Sequence, residues 1–171
     1  MAAQNGSNRS ATGPAISPVL VERVTHQDVP SICGLYKKVW ETSGTGVPTE
    51  LLKSWQPTPL EFTSWMEGVT YFAARRDGRL LGVVGCELYH GSCRLLRLAV
   101  DPDARRQGIG SALVGAAMEW ARHASAGSMY VESLARFAAA LSLFQRLGFA
   151  EAGVLHKHDW GEDVRLFERI L

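Results

Sequence analysis

The sequence predicts one α/β domain of the α+β kind, with a central mixed, mostly antiparallel sheet of about six to seven strands flanked by about four helices. Short runs rich in β-branched and aromatic residues recur between turn residues, which is typical of strands. In the second half, two stretches change to the 3.6-residue period of amphipathic helices. A chain of 171 residues, 46% apolar and 20% charged, is long enough for one such domain.

The first 17 residues are small and polar, so we expect a disordered tail, followed by a single domain over residues 18–171. The tail lacks the apolar core of a secretory signal peptide. No run approaches the roughly 18 apolar residues that span a membrane. The three cysteines have no metal-ligand spacing, which favours reduced thiols in a cytoplasmic protein and no metal site.

A β-rich run at 19–24 opens the domain. Asp28 is expected to cap a helix that extends to Trp40, because apolar side chains recur at helical spacing between them. The segment 41–59 carries two glycines and three prolines around a short apolar stretch, and this pattern predicts a loop, a helix and a second loop.

Three strands are expected next, in an antiparallel meander over residues 69–75, 80–89 and 93–100. The turns between them are Asp77-Gly78, a strong hairpin pair, and His90-Gly91, a weaker one.

The second half begins with an apolar stripe from Ile109 that predicts a helix ending near Gly127. A further helix is expected to carry Phe137 and Phe144 on one apolar stripe, with Gly148 just after its end. The remaining strands are predicted at 129–133, 152–157 and 164–170.

The charges exclude a nucleic-acid or membrane-surface footprint. The net charge is +1, with eight basic and eight acidic residues in 1–90 and ten and nine in 91–171. Because neither sign accumulates in either half, no bulk field attracts anionic polymers or lipids. We therefore expect neither nucleic acid nor membrane as a partner.

The most informative stretch for function is residues 98–111, which read LAVDPDARRQGIGS. A strand leads into a turn with Arg105 and Arg106, and Gly108 and Gly110 open a long helix. The free N–H groups and positive dipole end of such a helix bind phosphate, and glycines let an anion approach the backbone. The third glycine of a dinucleotide-binding loop and the Gly-Lys-Ser/Thr of a P-loop are both missing.

These residues resemble motif A of the GNAT acetyltransferases, whose core is R/Q-x-x-G-x-G/A. Residues 141–149, LSLFQRLGF, resemble the family's motif B, a variant of A-x-x-L-Y-x-K-L-G-F. The resemblance covers residues 19–171 and is strong over 95–150. It implies the GNAT fold and an N-acetyltransferase that uses acetyl-CoA as acyl donor and acetylates an amine of a small molecule or peptide in a ternary complex. A homodimer stays open.

The resemblance also implies roles for the motif residues. The strand end would offer backbone groups to the pantetheine arm of CoA, as an added strand does; its residues are Leu98, Ala99 and Val100. The turn and helix start would surround the pyrophosphate; these residues are Arg105, Arg106, Gln107, Gly108, Ile109, Gly110 and Ser111.

Two positions depart from the family pattern. Motif B often carries a tyrosine that protonates the leaving thiolate, and Phe144 occupies that position. Phe137 replaces a frequent asparagine. We expect both to be packing residues. A thiol with a pKa of about 8.5 leaves as the thiolate without protonation, so catalysis does not require the phenol.

Glu87 is the candidate general base. If the His90-Gly91 hairpin is tight, Glu87 is expected opposite Leu96, on one face with Arg94, Leu98 and Val100. The alternative to a catalytic role, for Glu87 and for His90, is an ordinary position on the protein surface. Glu132 is the other candidate, with a place on the wetter sheet face as its simpler interpretation.

Other residues bear on the acceptor. Strand alternation sends Arg94 and Arg97 to opposite faces, so one of them at most would enter the cleft and suit a carboxylate-bearing acceptor. Trp40, Trp55 and Trp65 would pack either an acceptor or the helices.

Three functions therefore stay open: an acetyltransferase, a GNAT-like CoA-binding module with lost or repurposed catalysis, and an interaction domain suggested by the tryptophan content.

Overall fold

The computed structural model describes residues 17–43 and 46–171; apart from Ser17, the expected tail lies outside them. The strands are β1 (Leu20–Arg23), β2 (Thr70–Arg76), β3 (Arg79–Tyr89), β4 (Ser92–Val100), β5 (Ser128–Leu134), β6 (Ala150–Asp159) and β7 (Glu162–Ile170). The helices are α1 (Val29–Ser43), α2 (Thr49–Ser54), α3 (Pro59–Trp65), α4 (Ile109–His123) and α5 (Ala138–Arg146).

The strands form one sheet in the order β1-β2-β3-β4-β5-β7-β6. Every neighbouring pair is antiparallel except β4 and β5, which are parallel. This confirms the predicted mixed, mostly antiparallel sheet. Among the described residues, no helix is long and apolar enough to cross a membrane.

The sheet buries a different set of side chains on each face. One face packs under α4 and α5, through residues such as Leu95, Leu113 and Phe144. The other packs under α1 and α3, through residues such as Ile32 and Phe62. Because the helices cover opposite faces, the face that a β4 side chain points to decides which part of a site it can reach.

The first helices differ from the prediction in detail. Asp28 precedes α1, and its carboxylate accepts hydrogen bonds from Thr25 and Arg75 instead of capping the helix. The helix α3 was not expected from the sequence, although its start has a capping box. The Thr58 hydroxyl oxygen accepts a hydrogen bond from the N–H of Glu61, and the Glu61 carboxylate accepts one from the N–H of Thr58. Pro59 at the first helical position reinforces that start.

The register of β4 against β3 differs from the prediction, both at the His90-Gly91 hairpin and at a bulge further along the strand. Glu87 pairs with Arg94 and Gly85 with Leu96, whereas Val83 pairs with Ala99, so β4 carries one extra residue. Arg97 lies in this bulge with φ 53°. The expectation that Glu87 lies opposite Leu96 is wrong because the hairpin pairs Tyr89 with Ser92, which places Glu87 opposite Arg94 before the bulge is reached.

The bulge also reverses which way the rest of β4 faces. Leu95, before the bulge, packs on the α4–α5 side, and Ala99, after it, packs on the α1–α3 side. Leu98 and Val100 therefore contact the α4–α5 core. Glu87 shares a face with Arg94 as expected, but not with Leu98 or Val100.

Candidate active site

The sheet opens between its two parallel strands. β4 and β5 pair from Ser92–Ser128 only as far as Leu95–Val131, although β4 continues to Val100 and β5 to Leu134. The gap belongs to a cleft of about 1140 Å³ that extends from the start of α4 to the start of α5. Unpaired backbone groups in this gap can bind a ligand as a strand would.

A buried carboxylate positions the turn that follows β4. Asp101 is 4% exposed, and its side chain accepts hydrogen bonds from Lys38 at 2.7 Å, from Arg79 at 2.9 Å and from the N–H of Asp103 at 3.0 Å. Burial by itself raises the pKa of Asp101, but these donors outweigh it and hold the pKa below its usual value. The turn is thus fastened to α1 and β3.

The turn ends in left-handed backbone. Arg106 has φ 62°, and Gly108, the N-cap of α4, has φ 80°. A Cβ built on Gly108 would have no atom within 4 Å, so the space in front of this residue is open. The first N–H groups of α4 have no partner within the helix. The arrangement suits an anion at the start of α4.

Nine of the ten residues that the resemblance assigns to CoA line the cleft, and they are Leu98, Ala99, Val100, Arg105, Arg106, Gly108, Ile109, Gly110 and Ser111. Gln107 does not, because its side chain turns to the opposite side and accepts a hydrogen bond from Arg76 at 2.6 Å. Arg105 donates to the hydroxyl of Ser43 at the end of α1, at 2.7 Å.

An aromatic wall closes the other end of the cleft. The Trp40 and Trp55 rings lie 4.5 Å apart, and Phe137 is 5.9 Å and 6.0 Å from them. Phe137 is the N-cap of α5 and belongs to this wall, so the expectation that it shares an apolar stripe with Phe144 is wrong. The Nε1 of Trp40 is buried without a hydrogen-bond acceptor among the described residues.

Phe144 packs as expected. It is 2% exposed, with its ring centroid 5.8 Å from that of Phe149 and 6.2 Å from that of Phe167. Phe144 also lines the cleft.

Three charged side chains form a chain across the opening. Arg94 pairs with Glu132 on β5 and lies 3.9 Å from Glu87 on β3. Burial by itself lowers the pKa of Arg94, but the two carboxylates outweigh this and raise it, so the guanidinium stays charged. Arg94 and Glu132 line the cleft, whereas Glu87 lies outside its lining.

Arg97 is held from three sides. Its carbonyl accepts a hydrogen bond from the Tyr36 hydroxyl at 2.8 Å, and its Nη1 donates one to the Tyr71 hydroxyl at 3.1 Å. Its Cζ lies 3.9 Å from the centre of the Trp65 ring. Burial raises the pKa of Tyr71 to about 12, so this phenol stays neutral. The expectation that Arg94 and Arg97 lie on opposite faces is wrong because the bulge turns Arg97 to the α1–α3 side, where Arg94 also lies. Both residues line the cleft.

The sequence did not predict that Trp65, Tyr36 and Tyr71 contact Arg97. The capping box before α3 was the one local pattern that could have placed Trp65 on a helix next to the sheet. Nothing in the sequence around Arg97 predicts the bulge.

Comparison with known proteins identifies the family. The sequence model of the Acetyltransferase (GNAT) family matches residues 33–149. The [ribosomal protein bS18]-alanine N-acetyltransferase of Escherichia coli K12 is 30% identical over 83 residues, 48% of this chain and 56% of that protein. The mycothiol acetyltransferase of Clavibacter michiganensis is 37% identical over 93 residues, 53% of this chain and 30% of that protein. The chain thus spans about half the length, or less, of these curated relatives.

Solved structures share the fold. The ribosomal-protein-alanine N-acetyltransferase from Brucella melitensis has a TM-score of 0.75 at 23% identity, covering 89% of this chain and 99% of that one. The PaiA N-acetyltransferase from Thermoplasma acidophilum, in complex with coenzyme A, has a TM-score of 0.75 at 15% identity, covering 90% and 99%. With the family match over residues 33–149, these likenesses lead to one conclusion: the chain belongs to the GNAT acetyltransferase family.

Proposed function

We propose that this protein is an N-acetyltransferase that moves the acetyl group of acetyl-CoA to an amine in a ternary complex. The observation that carries the proposal is the cleft between β4 and β5, which runs from the glycine turn of α4 to a wall of aromatic and charged side chains. A long donor fits the first half and an acceptor the second. The sparse, free cysteines favour a cytoplasmic location.

The donor half suits CoA by its chemistry. The open space at Gly108 and the free N–H groups of α4 would bind the pyrophosphate, and Arg105 and Arg106 would add charge. The backbone of 98–100 would bond the pantetheine amides in the gap left by β5. The thioester then supplies the acetyl group.

The reaction needs a neutral amine held against the thioester. The amine nitrogen attacks the acetyl carbon, the carbon–sulfur bond breaks, and the CoA thiolate leaves, while the proton of the amine passes to a base. Holding the two groups in contact supplies about 7–11 kcal/mol. Since Phe144 has no hydroxyl, the thiolate departs without a phenolic acid from that position of motif B.

Two carboxylates are candidates for the base. Glu132 lines the cleft just beyond the last β4–β5 pair, next to the gap where the amine would bind. Glu87 contacts the same Arg94 from β3 but does not line the cleft. This geometry favours Glu132 as the group that accepts the proton, directly or through a water. Glu87 remains the candidate that the sequence suggested.

The test is acetyl-CoA turnover against a broad panel of amines, with thiol release as the readout and mass spectrometry of the product. We expect thiol release above the amine-free rate and acetylation of the amine. Binding of acetyl-CoA without any turnover would instead support the CoA-binding module. Absence of CoA binding would overturn both the acetyltransferase and the CoA-binding module, and it would favour an interaction domain. Trp160, which is 65% exposed and the most exposed tryptophan of the described residues, would then be a candidate contact residue.

A further inference from the structure

The side chain of Arg97 is fixed before any acceptor arrives. The bulge aims it to the α1–α3 side of the sheet, and the Tyr36 hydroxyl fixes its carbonyl. The ring of Trp65 supports one face of the guanidinium, and Tyr71, itself 2% exposed, bonds one edge. A guanidinium has five N–H donors in a planar fork, so most of them stay available.

Arg97 has no ion-pair partner in the part of the chain that the structure describes. Among residues 17–43 and 46–171, no carboxylate lies within 4.0 Å of it, and residues 1–16 and 44–45 contain no Asp or Glu. Arg94 beside it serves as a contrast, because it is neutralised by Glu132 and Glu87. Arg136, another arginine of the cleft, pairs with Glu162 at 3.2 Å.

Arg97 and Glu132 flank the opening of the sheet. Glu132 is one residue past the last β4–β5 pair, and Arg97 is two residues past it on the other strand. An acceptor with its ammonium towards Glu132 would thus present its other groups to Arg97. A carboxylate is the group that a planar, preorganised guanidinium binds best.

We propose that Arg97 binds the carboxylate of the acceptor, and that the acceptor class is therefore the small amino carboxylates, α-amino acids first. This inference rests on the proposed acetyltransferase function. It excludes polyamines, aminoglycosides and internal lysines of proteins as preferred acceptors, because they offer no carboxylate close to the reacting amine.

The experiment compares each common L-amino acid with its carboxamide as acceptor, measured by thiol release from acetyl-CoA. The amine of the carboxamide is less basic, so more of it is neutral and ready to react. A preference for the acid cannot come from the amine. For the best amino acid, we expect kcat/KM to exceed that of its carboxamide by about 10-fold or more.

The variant is Arg97→Asn, because asparagine tolerates left-handed backbone and carries no charge. It should lower kcat/KM for the acid by about 10- to 100-fold and leave the carboxamide and the acetyl-CoA affinity unchanged. Arg122→Gln, which removes the same charge from an exposed position on α4, is the matched control and should change neither.

Three results would overturn the inference: equal rates for acid and carboxamide in the wild type, an Arg97→Asn variant that slows both equally, or a panel in which no amino acid is acetylated. Turnover only of amines that carry no carboxylate would refute the inference and leave the proposed function intact. Failure of acetyl-CoA to bind would refute the proposed function itself.

Discussion

The two halves of the cleft are built in different ways. The proposed donor half comes from one continuous segment, residues 98–111, in which strand, turn and helix follow one another. The proposed acceptor half is assembled from residues far apart in sequence, such as Tyr36 on α1, Arg97 on β4 and Glu132 on β5. A local site can be recognised from a short pattern, whereas an assembled site depends on register and packing across the fold.

The largest effect is expected in the acceptor half, where Glu132→Gln removes the carboxylate next to the gap. We expect kcat to fall by about 10²- to 10⁴-fold, the range of general acid–base catalysis, while acetyl-CoA binds unchanged. The wild-type rate should rise with pH towards the pKa of the acceptor amine, because only the neutral amine attacks.

Glu87→Gln is the matched variant, since it removes a carboxylate from the other side of Arg94. If Glu132 is the base, Glu87→Gln keeps most of the activity. A large loss in Glu87→Gln together with a fully active Glu132→Gln would assign the base to Glu87.

A second prediction concerns the donor half. Gly108→Ala should weaken acetyl-CoA binding by about 10-fold or more, because its methyl group would occupy the space that the anion needs. The control is Gly78→Ala, whose glycine has φ 76° and, like Gly108 with φ 80°, no atom within 4 Å of an added Cβ.

Both variants carry the same backbone strain, so their melting temperatures should fall by similar amounts. Isothermal titration would then show lost affinity in Gly108→Ala alone. Equal affinities in the two variants would contradict a phosphate site at the start of α4.

The smallest effect is expected where the family pattern is broken. Phe144→Tyr adds a hydroxyl to a buried ring that packs on Phe149 and Phe167, so we expect slightly lower stability and a kcat change of less than about tenfold. Steady-state kinetics and a melting curve measure both. A hundredfold gain in kcat would mean that an acid is needed and that Phe144 limits the native enzyme.

The sequence predicted the seven strands, their mostly antiparallel order and the turn at Gly108, because periodicity and turn residues are local properties. It could not predict the positions of Leu98 and Val100 relative to Glu87. One extra residue in β4 reverses every later side chain, and the contacts that stabilise that residue come from Tyr36, 61 positions away in sequence. Because of the same bulge, the sequence also could not predict that Arg94 and Arg97 both line the cleft.

The bulge at Arg97 also makes β4 easy to modify by directed evolution. Before it, Arg94 is directed to the acceptor side, and after it, Leu98 and Val100 contact the donor side. In the proposed acetyltransferase, neighbouring codons therefore encode separate tasks. A library randomised at positions 94 and 97 would sample new acceptors, while the residues proposed to contact the donor stay fixed. An insertion or deletion of one residue in this strand would turn the later side chains to the opposite face and exchange those tasks. Substitutions can therefore change acceptor preference without disturbing the donor side, whereas insertions and deletions cannot.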